Sequence, residues 1–186
     1  MIDDRFLYMV AFDPSSTMAG VSYVIYDTEI KKVTHVETRT LNMKRGVNKH
    51  VAKKFGELYA RLTLLRSLVC DFLHEKKVNV GSIETAYINV KRPNAVIPIS
   101  YSIFTITEAF YSMVDDVCLE WISASQAKNA VYVKGNEKKD GIEAGVIRSF
   151  RDDFGYSVNV EACSEHELDA LAVNIARLRA IIKERG

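Results

Sequence analysis

The sequence has few of the residues that build disulfide-stabilised or zinc-binding proteins. Only three cysteines occur, Cys70, Cys118 and Cys163, and none has a partner at C-x-x-C spacing. An odd number of widely spaced cysteines argues against a disulfide framework and against structural zinc. We therefore expect three reduced thiols that fill space in the fold.

The sequence also lacks long apolar runs, repeats and low-complexity linkers. No segment approaches the roughly 20 apolar residues that span a bilayer. The first five residues, MIDDR, lack the basic flank and apolar core of a signal peptide, so we expect a cytoplasmic protein. With 186 residues, 48% of them apolar, we expect a single domain covering residues 1–186.

Charge of one sign is not in large excess, but basic residues are clustered. The formal net charge is only +1, which does not by itself indicate a nucleic-acid-binding protein. The local clusters are Lys44, Arg45, Lys49, Lys53 and Lys54, then Lys91 and Arg92, then Lys128, Lys134, Lys138 and Lys139. Any one such cluster is as consistent with a solvated surface as with a phosphate-binding surface.

The apolar patterns predict a mixed α/β fold. Residues 6–12, 21–26 and 33–41 read as three sequential antiparallel strands, followed by an amphipathic helix over residues 48–76. Residues 78–83 and 119–122 read as two further strands, with helices at about 100–114, 140–154 and from Ser164 onwards. Three meander strands followed by strand-helix alternation form a five-stranded mixed sheet flanked by helices.

Four side chains at element ends are the candidate site. Asp13 follows the first strand, Glu84 ends the fourth, and His166 and Asp169 share one face in the first turns of the last helix. Ser164 and Glu167 form a capping box that predicts this helix start. A lone Asp-Pro is more often a turn cap, and a lone strand-end Glu is more often solvated. As an ordered set, however, they provide the oxygen and nitrogen ligands that divalent metals use beside a phosphodiester.

The motifs around these residues resemble those of the RuvC Holliday-junction resolvases. The matching segments are F-D-P-S-S-T-x-x-G at Asp13, I-E-T-A-Y at Glu84, S-A-S-Q-A-K-N, K-G-N-E-K-K and H-E-L-D-A-L-A, in family order along nearly the whole chain. Ser15 replaces the usual glycine after Asp-Pro, as in phage-encoded members, so the host cytoplasm is the expected compartment if a phage encodes the chain. A histidine, His166, stands where some members have an aspartate.

The resemblance implies an RNase H-like fold, a homodimer and paired nicking of four-way DNA junctions. It assigns Asp13, Glu84, His166 and Asp169 as the catalytic and metal-binding set. It places Lys139, and also Lys128, near the cleaved backbone, and it places Tyr87 against the opened centre of the junction. Lys91, Arg92 and Lys138 are further candidate contacts to DNA, because they are basic residues close to these motifs.

The expected chemistry is hydrolysis assisted by two Mg²⁺ or Mn²⁺ ions about 4 Å apart. Asp13 would bridge both ions, Glu84 and Asp169 would each complete one side, and His166 would ligate an ion or position the water. The helix over residues 100–114 is apolar on most sides, and we expect Tyr101, Phe104, Phe110 and Met113 to contribute to a dimer interface.

The sequence is also consistent with three other functions. An actin-like ATPase or sugar kinase can use D-x-x-x-T-x-x-G to cradle phosphate, but such enzymes need two lobes and this chain is short for both. A non-catalytic junction-binding module could retain the fold without cleaving. An RNase H-like nuclease could instead act on RNA, flaps or other branches.

Overall fold

The computed structural model describes residues 5–85, 96–133 and 139–185. Its strands are β1 (Phe6–Asp13), β2 (Met18–Asp27), β3 (Lys32–Asn42), β4 (Val80–Glu84) and β5 (Leu119–Ile122). Its helices are α1 (Lys49–Phe55), α2 (Glu57–Leu73), α3 (Val96–Met113), α4 (Ala124–Ala130), α5 (Lys139–Arg148) and α6 (Glu165–Arg185). Among the described residues, no helix is long and apolar enough to cross a membrane.

The five strands form one mixed sheet in the order β3-β2-β1-β4-β5. The pairs β1–β2 and β2–β3 are antiparallel, whereas β1–β4 and β4–β5 are parallel. This is the predicted arrangement of three antiparallel strands followed by strand-helix alternation. As a consequence, β1, β3, β4 and β5 all end at the same edge of the sheet.

Each face of the sheet carries its own hydrophobic core. Side chains alternate along β1, so that Leu7, Met9 and Ala11 pack with α4, α5 and α6, while Val10 and Phe12 pack with α2 and α3. Burial on both faces explains why β1 reads as an almost continuous apolar run. Asp13 follows the same alternation and falls on the α6 side.

Several predicted helices differ from those in the structure. The single helix predicted over residues 48–76 is two helices, α1 and α2, because Gly56 between them has a φ of +93° that stops α-helical propagation. The helix predicted over residues 140–154 is α-helical only to Arg148 and continues as a π-helical turn, Ser149–Asp153.

One predicted interface residue and one cysteine assignment are wrong. Phe110 of α3 is fully buried against Phe12, not at the dimer interface predicted for it. The three cysteines are free, but Cys118 is exposed and fills no space in the core.

Candidate active site at the carboxyl edge of the sheet

The strand pairing brings Asp13 and Glu84 side by side. β1 and β4 run parallel with Phe12 opposite Ile83, so the next residue of each strand, Asp13 and Glu84, lies at the shared carboxyl edge. Neighbouring strands are about 4.8 Å apart. Asp13 is buried, with 7% of its surface exposed, and Glu84 is half-buried.

The first turn of α6 is anchored onto the neighbouring strands by polar contacts. The Ser164 N–H donates to Glu167 Oε2 at 2.8 Å and the Glu167 N–H donates to Ser164 Oγ at 3.3 Å, which confirms the predicted capping box. Thr40 of β3 donates to Glu167 Oε1 at 3.1 Å and bonds Ser164 Oγ at 2.6 Å. Glu167 is therefore a buried anchor, not the solvated dipole partner that its position in the first turn suggests.

Two further contacts fix α6 against β2. Ser22 Oγ donates to the Ala170 carbonyl at 2.9 Å, and Asn174 Nδ2 donates to Ser22 Oγ at 2.8 Å. At Gly20, a Cβ would lie 1.9 Å from the carbonyl oxygen of His166, so the helix approaches the strand as closely as backbone atoms allow. Gly20 lies within β2.

These anchors carry His166 and Asp169 to the carboxyl edge. His166 Nδ1 lies 2.5 Å from Asp13 Oδ2, across 153 residues of sequence. The His166 side chain remains 28% exposed, so its ring faces solvent on one side and the buried carboxylate on the other. The predicted convergence of Asp13 and His166 is thus a direct contact.

The carboxylates form one electrostatic cluster. Burial, followed by repulsion from Asp13 and Asp169, raises the pKa of Glu84 to about 8. Burial, followed by repulsion from Asp13 and Glu165, raises the pKa of Asp169 to about 7. Burial also raises the pKa of Asp13, although its bond to His166 opposes the change.

The hydrogen bond between Asp13 and His166 also affects the imidazole. The hydrogen bond with Asp13 raises the pKa of His166, and burial acts against that increase. With Nδ1 donating to the Asp13 carboxylate, the neutral ring presents its lone pair at Nε2. The Asp13–His166 pair can therefore hold or accept a proton at Nε2.

The donor set fits a hard divalent cation in chemical type. Carboxylate oxygens and an imidazole suit Mg²⁺ or Mn²⁺, and closely placed buried carboxylates gain most from a positive charge among them. Within residues 5–85, 96–133 and 139–185, however, no three His, Cys, Asp or Glu side chains converge tightly enough to hold an ion as they stand. One oxygen of Asp13 is engaged by His166.

Only part of the predicted DNA-contact set falls within the described residues. Lys128 of α4 acts on the cluster, since its charge lowers the pKa values of both Glu84 and Asp169. Lys139 is the first residue of α5. The remaining predicted contacts lie outside the described residues: Tyr87, Lys91, Arg92 and Lys138.

The raised pKa values predict that the folded protein loses stability as pH rises. A carboxyl group with a higher pKa in the folded state binds its proton more tightly there, so the folded protein loses stability as pH rises from 4.5 to about 8 at Glu84 and from 3.8 to about 7 at Asp169. His166 contributes stability below pH 6.5 that is lost as pH rises through its folded-state pKa. In EDTA, urea unfolding should give a free energy of unfolding lower by at least about 1 kcal/mol at pH 8 than at pH 5.5.

The matched variants for this measurement are Asp169→Asn and Asp140→Asn. Asp140 lies exposed at the start of α5, so its substitution should leave the pH dependence unchanged. Asp169→Asn should flatten the pH dependence, because the amide does not titrate and no longer repels Glu84. A free energy of unfolding that increases from pH 5.5 to pH 8 would contradict the electrostatic description of the cluster.

Comparison with known proteins identifies the fold. No protein-family model and no curated protein matches the sequence. Among solved structures, Thermus thermophilus RuvC in complex with a Holliday junction substrate matches with a TM-score of 0.64 at 15% identity, over 97% of each chain. The yeast mitochondrial Holliday junction resolvase Ydc2 matches with a TM-score of 0.57 at 11% identity, over 96% of this chain and 81% of its own.

A viral resolvase also matches the structure of this chain. The fowlpox virus resolvase, solved with Holliday junction DNA, matches with a TM-score of 0.51 at 14% identity, over 95% of this chain and 99% of its own. The chain therefore has the RNase H-like fold of these resolvases, and the fold implied by its sequence motifs is confirmed.

Proposed function

We propose that the protein is a divalent-metal-dependent endonuclease that resolves four-way DNA junctions by paired phosphodiester hydrolysis. The observation that carries this proposal is the coupled cluster of Asp13, Glu84, His166 and Asp169 at the carboxyl edge of the sheet. The same fold occurs in proteins solved with junction DNA. Fold alone does not assign function, so the proposal rests on this cluster within that fold.

The carboxylates of Asp13, Glu84 and Asp169 are the groups that would hold Mg²⁺ or Mn²⁺. Such ions, when bound, activate a water molecule and neutralise charge that develops on the phosphate. The chain itself supplies the negative charge that retains them. The closely packed α6 helix then holds the four side chains in fixed relation to one another.

His166 has a distinct role in this proposal. Its Nδ1 is held by Asp13, which orients the ring and leaves Nε2 as the acceptor atom. A water that attacks the phosphodiester can transfer a proton to Nε2, and the Asp13 carboxylate stabilises the resulting imidazolium. Lys128, whose charge already reaches Glu84 and Asp169, would attract the scissile phosphate towards the acidic cluster. Lys139 would assist it from the start of α5.

A homodimer is part of the proposal, because a four-way junction calls for two symmetric cuts. One exposed stripe on α3 fits such an interface: Ile97, Tyr101, Phe104 and Tyr111, spaced by four, three and seven residues. Phe104 is the most exposed of these, at 70%. The opposite side of α3 is buried in the subunit, so the stripe is left to face a second copy.

Replacing Phe104 with Glu should convert the dimer to a monomer. A charge placed in an apolar interface loses its hydration, and we expect the dimer dissociation constant to rise at least about 100-fold, as measured by sedimentation. The monomer should leave one nick in a junction instead of two. The matched control is Ile30→Glu, because Ile30 is a 53% exposed apolar residue on the β2–β3 turn at the other end of the sheet. If Phe104→Glu leaves the dimer dissociation constant unchanged, α3 is not part of the dimer interface.

The proposed activity is tested with a panel of labelled substrates. A four-way junction, a Y-fork, a duplex and an RNA–DNA hybrid are incubated with the protein in Mg²⁺, Mn²⁺ or EDTA. We expect metal-dependent nicking of the four-way junction in preference to the duplex. Preferential cleavage of the hybrid would instead support an RNase H-like activity on RNA, and binding without cleavage would support a junction-binding module.

A further inference from the structure

A basic and aromatic surface lies beside the candidate active site and takes no part in it. Six Lys and Arg residues and a single carboxylate, Glu57, lie between residues 44 and 61, whereas the whole chain has 25 Lys and Arg against 24 Asp and Glu. We call this surface the α1 patch, and its members are Lys44, Arg45, Lys49, Lys53, Lys54, Phe55 and Tyr59. It carries most of its positive charge on helix α1.

The α1 helix is unusual because it contributes nothing to the hydrophobic core. None of its seven residues is buried, and α2 is the element against which it mainly packs. Its start is well defined, since Asn48 Oδ1 accepts from the N–H groups of His50 and Val51 at 3.0 and 3.2 Å. A local cap, and not burial of an apolar face, therefore defines this helix.

Among the described residues, no carboxylate neutralises the positive charges of the α1 patch. In the part of the chain that the structure describes, Glu57 pairs with Arg61, and no carboxylate forms an ion pair with Lys44, Arg45, Lys49, Lys53 or Lys54. Phe55 and Tyr59 are 57% and 55% exposed, with ring centroids 5.4 Å apart. Lys54 Nζ sits 5.1 Å from the Phe55 centroid, which restricts the direction of that ammonium group.

The sheet topology places the α1 patch on the active-site side of the molecule. β3 ends at Asn42 on the same edge as Asp13, in register through Gly20 and Thr40. The Met43 N–H then donates to the carbonyl of Thr17 in the loop that follows Asp13. Two strand spacings separate β3 from β1, about 10 Å in all. A DNA strand that crosses Asp13 towards β3 would meet α1 next.

We propose that the α1 patch binds the phosphate backbone of a duplex arm of the substrate, about 10–20 Å from the scissile phosphate, or roughly 3–6 base pairs along one strand. This inference rests on the proposed nuclease function and adds a second contact outside the catalytic cluster. Charge complementarity selects the partner, because uncompensated lysines on an exposed helix suit a regular polyanion. Such contacts position DNA without reading its sequence.

The test replaces three lysines of α1 and measures DNA binding without catalysis. The variant is Lys49→Gln, Lys53→Gln and Lys54→Gln, and glutamine preserves helix propensity at these exposed sites. The matched control is Lys31→Gln, Lys32→Gln and Lys183→Gln, which removes the same charge from exposed positions. These positions lie at the ends of β3 and α6 that are farther from the candidate active site. Binding to a four-way junction with long arms is measured in EDTA over a range of salt concentrations.

We expect the α1 variant to bind at least tenfold more weakly at 100 mM salt, with a salt slope reduced by about 2–3. The control should remain within about twofold of the wild-type affinity. A junction with methylphosphonates about 3–6 base pairs from the crossover should weaken wild-type binding far more than it weakens the α1 variant.

The outcomes separate this inference from the proposed function. If the wild-type protein nicks the junction in the presence of metal and the salt slope of the α1 variant is unchanged, the proposed role of α1 is wrong and the nuclease assignment stands. If the α1 variant shows a reduced salt slope but the wild-type protein cleaves no substrate, α1 is supported as a DNA contact and the nuclease assignment fails. A variant whose sedimentation changes but whose DNA binding does not would identify the α1 patch as a protein interface and overturn the inference.

Discussion

Asp13→Asn should reduce junction cleavage at least about 1,000-fold while junction binding is retained. Removal of one catalytic ligand typically costs several kcal/mol of transition-state stabilisation, and about 4 kcal/mol corresponds to that factor. Asp13 is buried at the centre of the cluster and also holds His166, so its amide analogue disrupts both functions. The basic surfaces that we propose to contact DNA are untouched by this substitution.

The measurement is single-turnover nicking of a labelled four-way junction, with binding measured in EDTA. Asp140→Asn is the matched control, because it removes the same charge from an exposed position on α5. The control should cleave at the wild-type rate. Cleavage by Asp13→Asn at a normal rate would show that the catalytic centre lies elsewhere in the molecule.

Gly20→Ala should destabilise the protein by about 3 kcal/mol and also impair cleavage. Its methyl group would lie 1.9 Å from the His166 carbonyl oxygen and 2.3 Å from the carbonyl carbon, so α6 must move away from β2. Overpacking against a backbone that cannot rotate aside belongs at the upper end of the usual 1–3 kcal/mol cost. The displaced helix takes His166 and Asp169 with it.

Gly46→Ala separates this close approach from a general intolerance of substituted glycines. A Cβ at Gly46 meets only Leu64 at 3.8 Å, so the substitution costs only its positive φ of +83°, about 1 kcal/mol. The free energy of unfolding measured in urea should be clearly lower for Gly20→Ala than for Gly46→Ala. Only Gly20→Ala should slow cleavage at saturating metal. Equal stability and activity of the two variants would mean that α6 does not depend on the close contact at Gly20.

The candidate site was predictable from the sequence because its residues stand at element ends. Apolar periodicity places Asp13 and Glu84 at the ends of strands, and the capping box places His166 and Asp169 in the first turns of a helix. Parallel strands with a shared carboxyl edge then make convergence a consequence of topology. The direct contact between Asp13 and His166 could not be predicted, because it depends on the angle at which α6 crosses the sheet.

Other features depend on tertiary contacts that periodicity does not encode. Phe110 and Phe104 are both apolar residues of α3, and the packing of this helix over β1 and β4 determines that the first is buried and the second exposed. Glu167 is charged and sits in a first turn, yet Thr40 of a distant strand makes it a buried anchor. Gly20 resembles a turn residue until the helix above it is known.

Resolution of a cruciform plasmid is a direct test of metal-dependent junction cleavage by this protein. A supercoiled plasmid that extrudes a four-way junction is incubated with the wild-type protein in Mg²⁺ or Mn²⁺, and nicked circles are separated from linear DNA. We expect linear product from paired cuts within one bound complex, with no cleavage in EDTA or by Asp13→Asn. An intact plasmid in both metals, or linear product that persists in EDTA, would contradict it.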